Sequence, residues 1–193
     1  MKKITLTVIF FFSSLLVLAQ QTDTAAHGTF KTRDIGGTVM SSAKSIAENL
    51  SHARDFSILV TALDSARLME NLTSGTFTLF ASSDKAFEKL AAGVLDTLLL
   101  PSHRADLVKL LNYHIVAGKL SSKDIARQIK AGNGQASLQT LSGGTLTAHI
   151  NENRNIVLTD EQGGESVVTQ FDVEQSNGVL HVVGSVLMPN TTP

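Results

Sequence analysis

The chain has no cysteine and no tryptophan, three prolines, one tyrosine and only 5% aromatic residues in 193 positions. Without cysteine there is no disulfide framework, no thiolate nucleophile and no thiolate metal ligand, so an exported protein of this composition stands on its hydrophobic core alone. The cysteine that a lipoprotein anchor requires is missing too. Charge of one sign is also scarce: 16 Lys and Arg stand against 17 Asp and Glu, a formal net charge of −1. No basic run appears, which leaves attraction to nucleic acid or to an anionic membrane without support. Catalytic signatures are absent as well. There is no Gly-x-Ser-x-Gly elbow, and the six histidines include no His-x-x-x-His or His-Glu-x-x-His pair. Gly132-Asn133-Gly134-Gln135 lacks the third glycine and the Lys-Ser/Thr of a phosphate loop, and reads as a turn. Asp160-Glu161 falls in a turn rather than in the apolar setting that raises a carboxyl pKa for acid–base work. The composition therefore predicts no enzyme, no cofactor and no metal.

What is present begins with one long apolar run. Lys2 and Lys3 precede residues 4–18, which are apolar apart from Thr and Ser, and Val17-Leu18-Ala19 offers a signal-peptidase site. A membrane anchor needs about 20 apolar residues with charged flanks; this run is shorter and is followed by Gln20-Gln21-Thr22-Asp23 without a basic stop. The expectation is a signal peptide over 1–19, cut after Ala19, with no membrane span in the mature chain and a periplasmic or extracellular destination. Its removal leaves 174 residues, with 14 basic against 17 acidic, enough for one core that buries roughly 70% of the unfolded surface. Residues 20–40 are polar and Gly-rich and read as a flexible leader. Residues 41–189 read as the folded domain, and 190–193 as a tail.

The most informative stretch is 76–90. Thr76-Phe77-Thr78-Leu79-Phe80 alternates, placing Phe77 and Leu79 on one face of a strand. Ala81-Ser82-Ser83-Asp84 then supplies acceptors for a helix start, and Phe87, Leu90 and Ala91 follow at helical spacing. Upstream, Ser41 or Ser42 is positioned to cap a helix carrying Ile46, Ala47 and Leu50, and Phe56, Leu59, Val60 and Leu63 mark a second. Downstream, Pro101 suits a first helical turn, and Leu107, Leu110, Leu111 and His114 form one stripe of a helix that Gly118 ends. Ser121-Ser122-Lys123-Asp124 resembles a capping box opening a helix to about Lys130. After Gly132 the texture changes to five short β-like runs at 138–141, 145–150, 156–159, 166–173 and 179–183. They are separated by turn sequences such as Ser142-Gly143-Gly144 and Asn177-Gly178. Helices first and an antiparallel meander later predict an α+β domain.

Three of these segments together resemble the fasciclin domain family. Phe77-Thr78-Leu79-Phe80-Ala81-Ser82-Ser83-Asp84-Lys85-Ala86-Phe87 resembles its first box, Phe-Thr-Val-Phe-Ala-Pro-Thr-Asn-x-Ala-Phe. Leu111-Asn112-Tyr113-His114-Ile115-Val116 is similar to its Tyr-His segment, and residues 177–189 to its closing box. The departures are Ala81-Ser82-Ser83 for Ala-Pro-Thr, and Gly184 for a common Asp. The resemblance implies a β-sandwich or wedge of about seven strands with several helices alongside, and an adhesion or matrix-associated module without enzymatic activity. It also implies binding roles for Tyr113-His114 and for Asp172-Val173, which align with segments linked to integrin-dependent adhesion in animal relatives. The partner it implies is a protein or polysaccharide of the cell surface or matrix.

The residues themselves offer plainer readings. His114 on an apolar stripe reads as a core histidine whose ring nitrogens bond the backbone. Val173 reads as core, and Tyr113 as a phenol paired internally. His149 falls on the polar face of its strand, while His181 is either structural or surface-facing. Two other functions remain open at this point: a carrier with an apolar pocket lined by residues such as Phe56, Phe80 and Leu107, and a hydrolase built on His114 or His181. Asn49-Leu50-Ser51, Asn71-Leu72-Thr73 and Asn190-Thr191-Thr192 match the glycosylation triplet and read as chance occurrences.

Overall fold

A computed structural model describes residues 30–190. The expected signal peptide, the first part of the leader and residues 191–193 lie outside them. Strands β1 (Thr32–Ile35) and β2 (Thr38–Ser41) come first, then helices α1 (Ile46–Leu50) and α2 (Ser57–Ala66). Next come β3 (Phe77–Ser82), α3 (Asp84–Phe87), α4 (Val94–Leu98), α5 (Arg104–Tyr113), β4 (Ile115–Ala117) and α6 (Ser122–Ala131). The expected meander closes the chain as β5 (Gln135–Gln139), β6 (Thr145–Ile150), β7 (Ile156–Thr159), β8 (Glu165–Gln175) and β9 (Gly178–Val183).

Seven strands form one sheet in the order β4-β3-β9-β8-β7-β6-β5. All neighbours are antiparallel except β3 and β9, which run parallel from Phe77 opposite Gly178 to Ser82 opposite Val183. The two end strands curl towards each other: Val116 bridges Thr140, and Leu141 N–H donates to Ile115 O at 2.8 Å. The α+β class and the seven strands agree with expectation, and the shape is a nearly closed barrel with helices against one side.

β3 and β9 explain why two cores form. The alternation in β3 puts Leu79 and Ala81 on one side and Thr78, Phe80 and Ser82 on the other, but all five are buried. All six residues of β9 are buried too. Outside the barrel, Leu79, Ala81, Leu180 and Val182 pack with α1, α2 and α5 through Leu50, Leu59, Leu63, Leu107 and Leu110. Inside it, Phe80 and Val183 pack with Leu138, Leu146, Leu158 and Val168, and α6 contributes Ile125 and Ile129. Gly178 is required where the central strands meet, since a Cβ there would lie 2.0 Å from Phe77 O.

Several expectations are corrected. The reading of 20–40 as a flexible leader does not hold for its last part: β1 and β2 form a hairpin whose Ile35 and Met40 enter the outer core at 1% exposure each. Ser45, rather than Ser41 or Ser42, caps α1, in a reciprocal box with Glu48. The α5 stripe ends at Tyr113, and Ile115 and Val116 belong to β4. Ser83 makes no side-chain cap on α3. The adjacent Asp84 instead reaches across to α2, accepting from Ile58 N–H at 2.9 Å and from the Ser57 hydroxyl at 2.7 Å. The β8–β9 turn is made by Ser176-Asn177, with Gly178 already paired to Gln175. The Asn177 amide ties the sheet to its surroundings by accepting from Ile46 N–H and donating to Leu72 O. The expected capping box of α6 is present between Ser121 and Asp124.

Candidate functional site

Tyr113 is the last residue of α5, where helical geometry turns its ring into the barrel at 0% exposure. Its hydroxyl donates to Thr145 O and accepts from Glu161 N–H, both at 2.9 Å. Burial pushes its pKa up to about 12, so the phenol stays protonated and keeps both bonds. His114 follows at 2% exposure. Leu187 N–H donates to Nε2 at 3.1 Å, so the ring proton sits on Nδ1 and is donated to Leu110 O at 2.9 Å. The Ser82 hydroxyl also approaches Nε2, at 3.2 Å. Burial pushes the His114 pKa down to about 4. This is the expected core histidine, with both nitrogens committed.

Asp172 and Val173 lie on β8, where the pairing with β9 shifts register twice. Asp172 adopts φ of +59° there, a left-handed conformation uncommon for a residue with a side chain. The irregularity turns its half-buried carboxylate towards the start of α6, where it accepts from Ser122 N–H at 2.7 Å and from the Ser122 hydroxyl. Asp172 N–H donates to Nδ1 of His181 at 3.3 Å, and His181 Nε2–H donates to Leu120 O at 2.9 Å. His181 is fully buried and stacks on Phe80, with centroids 5.6 Å apart and planes 25° apart. Burial lowers its pKa. Val173 is 1% exposed in the outer core.

The four residues singled out in the sequence therefore do not converge on one surface. Tyr113 packs in the barrel interior and Val173 in the outer core. Tyr113, His114 and Val173 are closed to a macromolecule, and Asp172 alone is partly accessible. A hydrolase on His114 or His181 loses its motivation, because each ring nitrogen already holds a structural partner. The pocket suggested for a carrier does not form either: Phe56 and Leu107 lie in the outer core and Phe80 in the inner one. Asn49 of the first glycosylation triplet is 3% exposed, with its amide committed to Ser41 and Gln175. His149 is half-buried beside its strand's buried Leu146 and Ala148, as alternation predicts.

Two of the open clefts among the described residues border these elements. One, of about 290 Å³, runs between the hairpin and β8 and is lined by Lys31, Thr32, Arg33, Met40, Asp172, Val173 and Glu174. Lys31 Nζ donates to Glu174 at 2.7 Å, which holds that carboxyl below its usual pKa, and an Arg33 N–H donates to Phe171 O. Phe171 itself is 44% exposed at the irregularity. Sequence reasoning missed Lys31, Arg33 and Phe171, although Gly36-Gly37 between Ile35 and Thr38 is a hairpin signal. The other cleft, about 320 Å³, is lined by Leu98, Asp106, Lys109, Leu110, Met188, Pro189 and Asn190. Among the described residues there is no group of three or more His, Asp and Glu placed to hold a metal, and no helix is long and apolar enough to cross a membrane.

Comparison with known proteins agrees with this architecture. Protein sll1483 of Synechocystis sp. is 35% identical over 162 residues, covering 83% of this chain and 82% of that protein. The transforming growth factor-beta-induced protein ig-h3 of Sus scrofa is 30% identical over 135 residues, 69% of this chain but only 18% of that much longer protein. Among solved structures, a FAS1 domain pair from the insect cell adhesion molecule fasciclin I superposes with a TM-score of 0.66 at 17% identity. The match covers 82% of this chain and 66% of that one. The family model for the fasciclin domain matches residues 54–189, and the chain belongs to that family.

Proposed function

We propose that this protein is an exported, non-enzymatic binding module that attaches to a protein or polysaccharide of the cell surface or matrix. The observation that carries the reading is the β8 irregularity. The Asp172 carboxylate is held by Ser122 and Val173 is buried, and the adjoining Phe171, whose carbonyl accepts from Arg33 of the hairpin, is left 44% exposed. An exposed aromatic next to Arg33 has the chemistry of an interface anchor. Asp172 and Val173 take part by positioning this surface rather than by touching the partner, while Tyr113 and His114 hold the barrel interior and the chain after β9. The adhesion role named for the insect fasciclin I structure supports the same direction.

The test is an array of envelope and matrix proteins and polysaccharides, probed with the protein and with Phe171→Ala and Arg33→Ala. Reproducible binding that either variant loses while remaining folded supports the proposal. No binding above an unrelated secreted control overturns it. A second reading, a carrier of a small apolar molecule, draws on the cleft walled by Leu98, Leu110 and Met188. Native mass spectrometry showing only the bare chain mass would remove it.

A further inference from the structure

After β9 the chain runs as a strap across the barrel and the helices. Leu187 enters the inner core at 0% exposure, Val186 the outer core at 7%, and Met188 packs against the outer core. The strap begins on bonds that do not titrate: Gly184 N–H donates to Val167 O at 3.0 Å, and Ser185 exchanges two bonds with the Ser166 hydroxyl. Beyond Ser185 the anchoring changes character. Leu187 N–H donates to the His114 imidazole at 3.1 Å, Met188 N–H to the Asp160 carboxylate at 2.9 Å, and Asn190 N–H to the Glu161 carboxylate at 2.9 Å. Residue 189 is proline and has no N–H to offer. From Leu187 to Asn190, then, every backbone donor of the strap ends on a side chain whose acceptor is weakened or abolished by taking up a proton.

We propose that residues 186–190 form an acid-released strap, hinged at Ser185, whose opening uncovers Leu187 and dismantles the cleft beside Leu98 and Leu110. The charged surroundings are few. Facing His114 are Ser82, Leu110 O and the Asp160 carboxylate. Asp160 also accepts from Gln162 N–H and Gly164 N–H, and Glu161 from Thr145 N–H. Lys109 of α5 lies near Glu161, and Asp106 of α5 shares the cleft. Lys89 holds Gly184 O at the hinge, and residues 184–190 carry no ionisable side chain. Gln162 Nε2–H also donates to Pro189 O at 2.9 Å. A proton on His114 Nε2 would point at Leu187 N–H, donor against donor, so protonation disfavours closure. Opening that returns the ring to water therefore takes up one proton. The open fraction rises roughly tenfold for each pH unit lost between the ordinary histidine range and the range near pH 4 where the closed ring itself titrates.

The absence of cysteine in the chain makes the test direct. Val186→Cys and, as a control in β9, Val182→Cys start from similar burial, 7% and 6%. Each is labelled with an aromatic disulfide that reacts at acid as well as at neutral pH. The expected result is that labelling at residue 186, corrected for intrinsic thiol reactivity, accelerates by at least roughly tenfold between about pH 6.5 and pH 5, while residue 182 stays protected. His114→Gln, which does not titrate, is expected to flatten this dependence. Amide exchange in the unsubstituted protein gives the same reading without substitution: protection at Leu187, Met188 and Asn190 falls before that at Leu180 and Val182. Common pH dependence at the two cysteines, or strap amides protected down to global unfolding, would overturn the proposal.

Discussion

Tyr113 shows how much one side chain holds. Its hydroxyl joins the end of α5 to β6 at Thr145 and to the turn after β7 at Glu161. Tyr113→Phe keeps the ring but strands a carbonyl and an N–H, a loss of about 1–3 kcal/mol. The expected outcome is a lower urea midpoint at unchanged slope. His114 acts through its protonation state. Burial places its folded pKa near 4, below the ordinary 6.5. Below pH 6.5 the unfolded chain therefore takes up a proton that the folded one refuses. The stability associated with the neutral ring is complete above that pH and declines as pH falls towards 4, by up to on the order of 3 kcal/mol. Urea titrations at stepped pH, compared with His114→Gln, measure it. Glu161 adds in the same direction at lower pH, since the bonds from Asn190 and Thr145 N–H depress its pKa. That Tyr113 and His114 are structural was readable from a polar pair at the end of an apolar stripe. Their particular partners were not, because Thr145, Glu161 and Leu187 lie far away in sequence.

At the scale of elements, the helices are short and draw on distant residues to begin. α2 has no cap from its own preceding residue and takes Asp84 instead, so Asp84→Ala is expected to cost about 1 kcal/mol. Ser83→Ala, which removes no cap bond, should lie near zero. Both are read from thermal unfolding. The sequence placed an acceptor cluster at 81–84 correctly, but a hydroxyl or carboxylate does not say whose N–H groups it will meet. The central strands are joined more tightly. At Gly178 even one methyl group meets Phe77 O, so Gly178→Ala should cost at least about 3 kcal/mol or prevent folding, with a poor soluble yield as the first sign. Asn-Gly marked a turn in the sequence. The glycine is instead needed one step later, where β9 enters between β3 and β8.

For the whole molecule, the fold extends beyond the residues that identify its family. The family match begins at residue 54, yet Ile35, Met40, Ile46, Leu50 and Ala53 all belong to the outer core. Ile35→Ala and Met40→Ala should each destabilise by about 2–5 kcal/mol, seen as a lower Tm, which a dispensable leader would not show. The hairpin also forms one wall of the cleft beside Phe171, so its removal should weaken both stability and any binding there.

The order of elements, the change from helical to strand texture after Gly132, the capping box at Ser121 and the three family segments were all set locally, by spacing and by turn chemistry. The parallel pairing of β3 with β9, the bridge that nearly closes the barrel and the burial of both faces of β3 join residues about a hundred positions apart, or wrap the sheet on itself. Periodicity along the chain carries no such information. The same holds for the site. Tyr113, His114, Asp172 and Val173 were legible as positions, but only the tertiary structure decided that Tyr113, His114 and Val173 face inward, that Asp172 is half-buried against α6, and that Phe171, Lys31 and Arg33 face the solvent. A half-turn at a register shift reverses which side of a strand is wet.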